Sequence, residues 1–465
     1  RTKLKLMIAD RNKTLERATL VVTSFASFVT PFIGSATNIA LPAIGKEFAA
    51  NAVMLSWVAS SFLLSAAVFL APFSRLADII GRKKVFNFGL IIFTIASFSC
   101  AFSPNIQILI AWRIIQGLGG ALIFGTAMAI ITSVFPREKR GKALGIVVAS
   151  VYTGLTLGPF IGGFLTKNWG WEGIFIFTVP LGLVAMTLSF IYFKEDWADA
   201  KGEKFDWKGS IIYGFAITSL MYGFSKLPEL IGVISTLLGI VGISLFVYFE
   251  KRQKFPVINI QLFRQNKVFA FSNYAALINY SATFAIGFLL SLYLQYIKGL
   301  NPQEAGQILV IQPLLMAIFS PITGKLSDRV DAGKLASIGM ALISLGLFVI
   351  TFIGQDSSIW FIVPILVVFG IGYALFSSPN SNAIMSSVDK KYYGIASGSV
   401  GTMRLVGQMS SMGIAMMIFS IFIGKAEINP TNYTEFISSI RTAFFIFAVL
   451  CFLGIFLSLA RSKSK

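Results

Sequence analysis

The stretch GLGGALIFGTAMAIITSVFPREKRGKALG (residues 117–145) aligns without a gap on GIGYALFSSPNSNAIMSSVDKKYYGIASG (residues 370–398). Six glycine and alanine positions agree at an offset of 253 residues: Gly117, Gly119, Ala121, Gly141, Ala143 and Gly145 match Gly370, Gly372, Ala374, Gly394, Ala396 and Gly398. A second match, RLAD (75–78) with KLSD (325–328), has an offset of 250. A long internal repeat of this kind predicts two copies of one structural unit.

The composition indicates that each copy lies in a membrane. Hydrophobic residues make up 55% of the 465-residue chain and charged residues only 13%, whereas soluble domains carry about 25% charged residues. A helix needs about 20 apolar residues to cross the hydrocarbon layer. The sequence therefore predicts an all-α membrane protein with fourteen transmembrane helices, near residues 18–42, 51–73, 84–102, 105–134, 141–166, 173–193, 208–225, 229–249, 268–297, 303–323, 334–354, 358–386, 394–423 and 438–460.

The repeat divides these helices into segments. We expect a six-helix bundle over 18–193 and a second over 268–460, with a linker over 194–267 that contributes two extra helices (208–225 and 229–249). Residues 1–17 and 461–465 are predicted to be terminal segments outside the membrane. Two pseudo-symmetric bundles are typical of transporters that bind substrate between the halves, near the midplane.

Lysine and arginine give the orientation. Thirty-one of the 39 lie in the termini and in alternate loops on one side, and six lie on the other. Cytoplasmic loops carry the excess of such residues, so both termini are predicted to be cytoplasmic and the protein to be multi-pass in the cell membrane. The same distribution argues against nucleic-acid binding as the reason for the net charge of +19. The absence of histidine and the presence of only two cysteines predict no metal site and no cofactor.

Three motifs resemble those of the major facilitator superfamily, and of its fourteen-helix drug–proton antiporter branch in particular. These are SRLADIIGRKK (74–84), RIIQGLGGA (113–121) and GLTLGPFIGG (154–163). The first resembles the motif of the loop between helices 2 and 3, where Asp78 and Arg82, with Asp328 and Arg329 in the second copy, are candidate gating residues. The third resembles the antiporter motif of helix 5. Its small residues would let another helix approach closely, and the motif residues are Gly154, Gly158, Pro159, Gly162 and Gly163.

Two arginines fall inside apolar helices, Arg113 and Arg404. Each shares a helix face with small or polar residues, so both are expected to point into the protein. An intramembrane charge is costly and is a candidate functional site. All twenty Asp and Glu residues lie in loops or at helix ends. The fourteen-helix antiporter branch that the motifs resemble carries an acid in helix 1, and the matching position in this sequence is Ile33. Proton coupling through an intramembrane carboxylate is therefore not supported, although Glu47, Asp78, Glu172 or Glu304 could carry protons at helix ends.

A positive cavity without acids favours a neutral or anionic amphipathic substrate, whose own negative group would pair with arginine. The predicted substrate-binding residues are Arg113, Gln116, Arg404, Gln408, Asn38, Trp57, Asn279, Tyr280, Gln312, Tyr373 and Asn380. Aromatic rings with a few amides suit a greasy molecule with a polar head. Each of these residues could instead serve helix packing.

The sequence thus predicts an alternating-access transporter, not an enzyme, that exports amphipathic organic compounds in the manner of multidrug efflux proteins. It is expected to act as a monomer among membrane lipids, with protons as a candidate coupling ion. One alternative is an organic-anion exchanger or uniporter without proton coupling. Another is a transport-inactive sensor or lipid-handling protein on the same scaffold.

Overall fold

The computed structural model describes residues 2–193, 196–253, 256–258, 260–327, 329–388, 393–424 and 426–461, and all regular structure in these ranges is helical. In a bilayer the backbone must satisfy its own hydrogen bonds, which a helix does within one segment. The α-helices are α1 (Thr2–Phe48), α2 (Ala52–Ile80), α3 (Arg82–Ala101), α4 (Ile106–Val134), α5 (Arg137–Trp169), α6 (Glu172–Tyr192), α7 (Trp207–Lys226), α8 (Leu230–Glu250), α9 (Ile260–Gln265), α10 (Lys267–Thr283), α11 (Ala285–Leu292), α12 (Pro302–Leu309), α13 (Ile311–Leu326), α14 (Ala332–Ile350), α15 (Ile359–Ser386), α16 (Tyr393–Phe422) and α17 (Tyr433–Ala460).

Thirteen helical segments in the described part of the chain are long and apolar enough to cross a membrane. Helix α7 is not among them, although it is twenty residues long. Two of the predicted runs are interrupted. The run at 268–297 is built from α10, α11 and a π-helical turn at Tyr293–Ile297, and the run at 303–323 is divided between α12 and α13.

Polar side chains at the helix starts explain where several helices begin. The first backbone N–H groups of a helix have no partner within it, and a capping side chain accepts one of them. At the start of α12, Asn301 accepts from the Glu304 N–H, and Glu304 accepts from the Asn301 N–H in return. Single caps of the same kind are formed by Asn51, Asn105, Asp206, Asn266, Asp331 and Ser358.

The helices before α7 and after α9 pack in the same pattern. In the first half, which comprises α1–α6, α1 contacts α4, α5 and α6, α2 contacts α4, and α3 contacts α4 and α6. In the second half, which comprises α10–α17, α10 contacts α15, α16 and α17, α13 contacts α15, and α14 contacts α15 and α17. The halves meet where α2 lies on α16, α5 on α12 and α13, and α1 on α11 and α12.

Helices α7 and α8 form a hairpin beside the contact between α2 and α16. Helix α7 packs on α8 and touches both of those helices. The Tyr213 hydroxyl donates to the Ala67 carbonyl of α2, at 3.0 Å, and the Ser420 hydroxyl of α16 donates to the Leu227 carbonyl, at 2.7 Å. The hairpin is therefore joined to both halves.

Candidate functional site

Arg404 lies where the two halves meet. Its side chain is half-buried on α16, and its guanidinium carbon is 5.6 Å from the centre of the Tyr280 ring on α10. Tyr373 on α15 is near enough to Tyr280 and Arg404 for electrostatic interaction with both. In the described part of the chain Arg404 forms no ion pair. The site therefore holds a positive charge that is stacked on an aromatic ring and has no protein counter-ion.

The first half contributes Tyr152 to the same site. Its hydroxyl lies 3.2 Å from the Ser377 hydroxyl of α15, and the side chain lies in the neighbourhood of Tyr280 and Arg404. We call Arg404, Tyr280, Tyr373, Tyr152 and Ser377 the central cluster. Arg404, Tyr280 and Tyr373 were predicted from the sequence as substrate-binding residues, and Tyr152 and Ser377 were not. The one available signal was that Tyr152 follows Val151, the position that the repeat aligns with Arg404.

Arg113 lies inside the first half and is only 1% exposed. Its Nε donates to the Val58 carbonyl of α2 at 3.1 Å, and its terminal nitrogen donates to Gln116 Oε1. The Gln116 amide donates in turn to Ser97 on α3 at 2.7 Å. The guanidinium carbon is 4.7 Å from the centre of the Phe62 ring. A carbonyl, an amide and a ring thus stabilise this charge, and the described ion pairs include none at Arg113.

The predicted amides are divided between several environments. Asn380 donates to the Ser272 carbonyl and accepts from Arg461, so it lies inside the second half. Asn279 is fully buried, and neither atom of its amide has a partner. Asn38 lies where α1 meets α11 and is 9% exposed. The structure describes no hydrogen bond from the side chain of Trp57, Gln312 or Gln408 to the central cluster.

Arg461 was not predicted, because it lies in the terminal segment. It is 4% exposed, and it donates to Ser272 of α10 at 2.9 Å, to Asn380 of α15 and to Ser458 of α17 at 3.1 Å. Burial lowers its pKa to about 10, so the side chain remains charged at neutral pH. It joins the ends of three helices in the second half.

The candidate gating residue Arg82 forms a network at the turn between α2 and α3. It pairs with Asp78 and with Asp199, each at 2.7 Å, and donates to the Ser133 hydroxyl of α4 at 2.7 Å. The Ala200 N–H donates to the Asp78 carbonyl. These contacts join the first half to the linker that follows α6. Arg329 is exposed, and Asp328 lies outside the described residues.

The glycines of the helix 5 motif are in close contact with two helices. Gly154, Gly158 and Gly162 lie against Phe28, Ser35 and Ala36 of α1, where an added Cβ would be too close. Gly163 lies on the other side, against the backbone of α12, and a Cβ there would be 2.5 Å from the Pro302 carbonyl oxygen. Gly306 of α12 lies against the Pro159 carbonyl. The motif therefore packs within the first half and also across to the second.

A second contact closes the same face of the molecule, which we call the closed face: the end where α1 finishes and α12 begins. Pro42 has no N–H, so the Asn38 carbonyl in α1 lacks its usual helical partner. The Ser291 hydroxyl of α11 donates to that carbonyl at 2.6 Å. Gln295, in the π-helical turn, donates to the Ile39 carbonyl at 2.9 Å. Backbone oxygens in one half thus accept from side chains of the other.

Comparison with known proteins agrees with this architecture. The chain matches the Major Facilitator Superfamily over residues 23–412 and 275–465. It is 29% identical to the riboflavin transporter RibZ of Clostridioides difficile over 446 residues, covering 94% of this chain and 96% of that protein. It is 31% identical to the multidrug resistance protein Stp of Mycobacterium tuberculosis over 406 residues, covering 86% and 74%. The tetracenomycin C resistance and export protein of Streptomyces glaucescens is 26% identical over 429 residues, with 90% and 78% covered.

Solved structures share the fold at low sequence identity. The POT family transporter PepTSo aligns with a TM-score of 0.69 at 15% identity, over 96% of this chain and 98% of that one. A bacterial homologue of the lysosomal transporter Spinster, in an inward-facing and unoccupied conformation, aligns with a TM-score of 0.67 at 16% identity, over 97% of each chain. The chain belongs to the Major Facilitator Superfamily and is a multi-pass membrane transporter.

Proposed function

We propose that the protein exports neutral or anionic amphipathic organic compounds by alternating access, with the central cluster as the substrate site. The observation that supports this most directly is Arg404, a half-buried cation between the halves without a described ion pair. An ionised group of the substrate would supply the missing negative charge through charge-assisted hydrogen bonds. The rings of Tyr280, Tyr373 and Tyr152 would cover its apolar part. Relatives that are named for multidrug resistance and for export agree with this direction.

We further propose that the chain has the architecture of the fourteen-helix antiporter branch that its motifs resemble, with fourteen membrane spans and two copies of a six-helix unit. Helix α7 would be the fourteenth span, since twenty residues at 1.5 Å each reach about 30 Å. The identical packing pattern of the two halves supports a pseudo-symmetric repeat. The excess of lysine and arginine on one side supports cytoplasmic termini in the cell membrane. With this orientation the closed face would lie on the outer side.

In this proposal the described arrangement is closed to the outside and receives substrate from the cytoplasm. The closure consists of the hydrogen bonds that Ser291 and Gln295 donate to α1, and of the contact between Gly163 of α5 and the backbone of α12. Rocking of the halves would break these contacts and bring the central cluster to the outer side. The network of Arg82 would keep the cytoplasmic end of the first half together with the linker during this movement.

A second candidate substrate is a flavin. RibZ, named as a riboflavin transporter, aligns over nearly the whole of both chains. A planar ring system could stack between the Arg404 guanidinium and the aromatic side chains near it. Transport would then depend on stacking and hydrogen bonds and less on charge.

Flux in proteoliposomes tests both candidates. The purified protein is assayed with cationic, neutral and anionic dyes and with riboflavin, with and without a proton gradient. We expect transport of an anionic or neutral compound, and a loss of about 10- to 150-fold in Arg404→Ala, because a hydrogen bond to a charged group contributes about 1.5–3 kcal/mol. Arg264→Ala, at an exposed position on α9, is the matched control.

The same assay separates the alternatives. Flux that ignores the proton gradient but requires Arg404 would select an exchanger or uniporter without proton coupling. Transport of cations alone, unchanged in Arg404→Ala, would refute the site assignment. No flux of any compound would favour a sensor or lipid-handling role. Cysteine cross-links across the cytoplasmic face would support that role further if the cross-linked protein kept its activity.

A further inference from the structure

Two carboxyl groups meet at the base of the hairpin formed by α7 and α8. Asp206 caps the start of α7, and its Oδ1 accepts from the Gly209 N–H at 2.9 Å. Glu250 is the last residue of α8, and its Oε1 accepts from the Ile258 N–H at 2.7 Å. Glu250 is only 2% exposed. Each carboxyl group therefore uses one oxygen to hold a backbone N–H.

The second oxygens of these groups lie close to each other. Asp206 Oδ2 and Glu250 Oε2 are both buried, and neither has a hydrogen-bond donor. Both lie over Gly209, where an added Cβ would be 2.9 Å from Glu250 Oε2 and closer still to Asp206 Oδ2. The two side chains are within hydrogen-bonding reach of each other. Two ionised carboxylates in this position would repel each other after losing most of their water.

No described cation neutralises the pair, because the ion pairs in the described ranges do not include Asp206 or Glu250. Glu203, the nearest acid on the linker, pairs with Arg75 of α2. Among the described residues, the basic ones that flank the pair in sequence have exposed side chains and are Lys204, Lys208, Lys251 and Arg252. A single shared proton would satisfy both oxygens at once.

We propose that Asp206 and Glu250 form a proton-binding carboxyl pair that fastens the ends of the α7–α8 hairpin. One proton from the adjacent solvent forms an O–H bond on one carboxyl group, and that group donates to the other, so the pair carries one negative charge instead of two. Loss of the proton at alkaline pH leaves two facing carboxylates and pushes the start of α7 away from the end of α8. The hairpin contacts both halves through Tyr213 and Leu227. The contact between Asp206 and Glu250 is therefore a pH-sensitive element that lies outside the central cluster.

The carboxyl pair lies outside the central cluster, so its protonation is independent of which compound the protein transports. Asp206 and Glu250 are not among the helix-end acids that the sequence offered as proton carriers, which are Glu47, Asp78, Glu172 and Glu304. The pair could not be found from sequence, because its two residues are separated by the whole hairpin and each resembles an ordinary helix-end acid.

Infrared spectroscopy of the purified, full-length protein in liposomes tests the proton directly. We expect the carbonyl stretching band of a protonated carboxylic acid at neutral pH, lost as the pH is raised. The band should disappear in both Asp206→Asn and Glu250→Gln. Glu229→Gln, an exposed position at the other end of the hairpin, should leave it unchanged. A band that persists in Glu250→Gln, or no band at any pH in the parent protein, would overturn the proposal.

The thermal stability as a function of pH tests whether the carboxyl pair holds the two ends of the hairpin together. The protonated pair is the stabilising form, so the parent protein should lose stability as rising pH removes the proton. Glu250→Gln keeps a neutral group that can donate to Asp206, and its stability should change less over the same range. Parallel loss of stability in the parent, Glu250→Gln and Glu229→Gln would show that the pair does not fasten the hairpin.

Discussion

Replacement of Gly163 by alanine should open the closed face. The new Cβ would be 2.5 Å from the Pro302 carbonyl oxygen, and real Cβ atoms essentially never come closer than 3.0 Å to such an atom. Helices α5 and α12 must therefore separate by at least 0.5 Å. Both contacting atoms are held by backbone, so a side-chain rotation cannot relieve the contact.

The size of the effect follows from the cost of overpacking. An extra methyl group in a well-packed contact costs about 1–3 kcal/mol. This cost applies only to the closed state, in which α5 touches α12. The equilibrium constant between the closed and the open state should therefore change by about 5- to 150-fold in favour of the open state. Gly34→Ala on α1 is the matched control, because a Cβ there has nothing within 4 Å.

A buried reporter thiol measures this shift. Ala305 on α12 is 0% exposed in the closed arrangement, so a cysteine at this position should react with a membrane-impermeant maleimide only when the face opens. The native Cys100 and Cys451 are buried and should contribute little. We expect the alkylation rate of Ala305→Cys to rise in the Gly163→Ala background and to stay constant with Gly34→Ala. An unchanged rate in folded Gly163→Ala protein would refute the reasoning, and Gly306→Ala, from the other helix, should repeat the result.

Three further changes have expected outcomes of different kinds. Arg113→Ala should lower the free energy of unfolding by about 2–5 kcal/mol, since it leaves a cavity and leaves the buried Gln116 Oε1 without a donor. Arg113→Met should recover part of the loss, and equal melting temperatures for parent and Arg113→Ala would contradict this. The double change of Ser291 and Gln295 to alanine should raise the alkylation rate of the reporter about eightfold, because membrane hydrogen bonds of this kind contribute about 0.6 kcal/mol each. An unchanged rate would count against their role in closure. Arg461→Ala should speed proteolysis of the second half and leave the rate in the first half unchanged. Mass spectrometry of the fragments would show this difference, and faster cleavage of both halves alike would contradict it.

The sequence determined the class of fold because hydrophobicity is a local property. Three signals can be read directly along the chain. They are the runs of about 20 apolar residues, the repeat at an offset of 253 residues and the distribution of lysine and arginine. The glycine spacing in 154–163 likewise predicted a close helix contact, because residues four apart share a helix face. The partner of that face, α1, could not be predicted from the spacing.

The tertiary structure decided what each polar side chain contacts. Arg113 and Arg404 resemble each other in sequence, as single arginines on a face of small residues, yet one is enclosed by the first half and the other lies between the halves. Arg461 and Asn380 are 81 residues apart and meet only because α15 and α17 end at the same face. Side-chain partners depend on how helices distant in the chain are placed in space, and helix periodicity carries no information about that placement. For this reason the sequence predicted the helices and much of the list of polar residues, and the fold determined which of them form the central cluster.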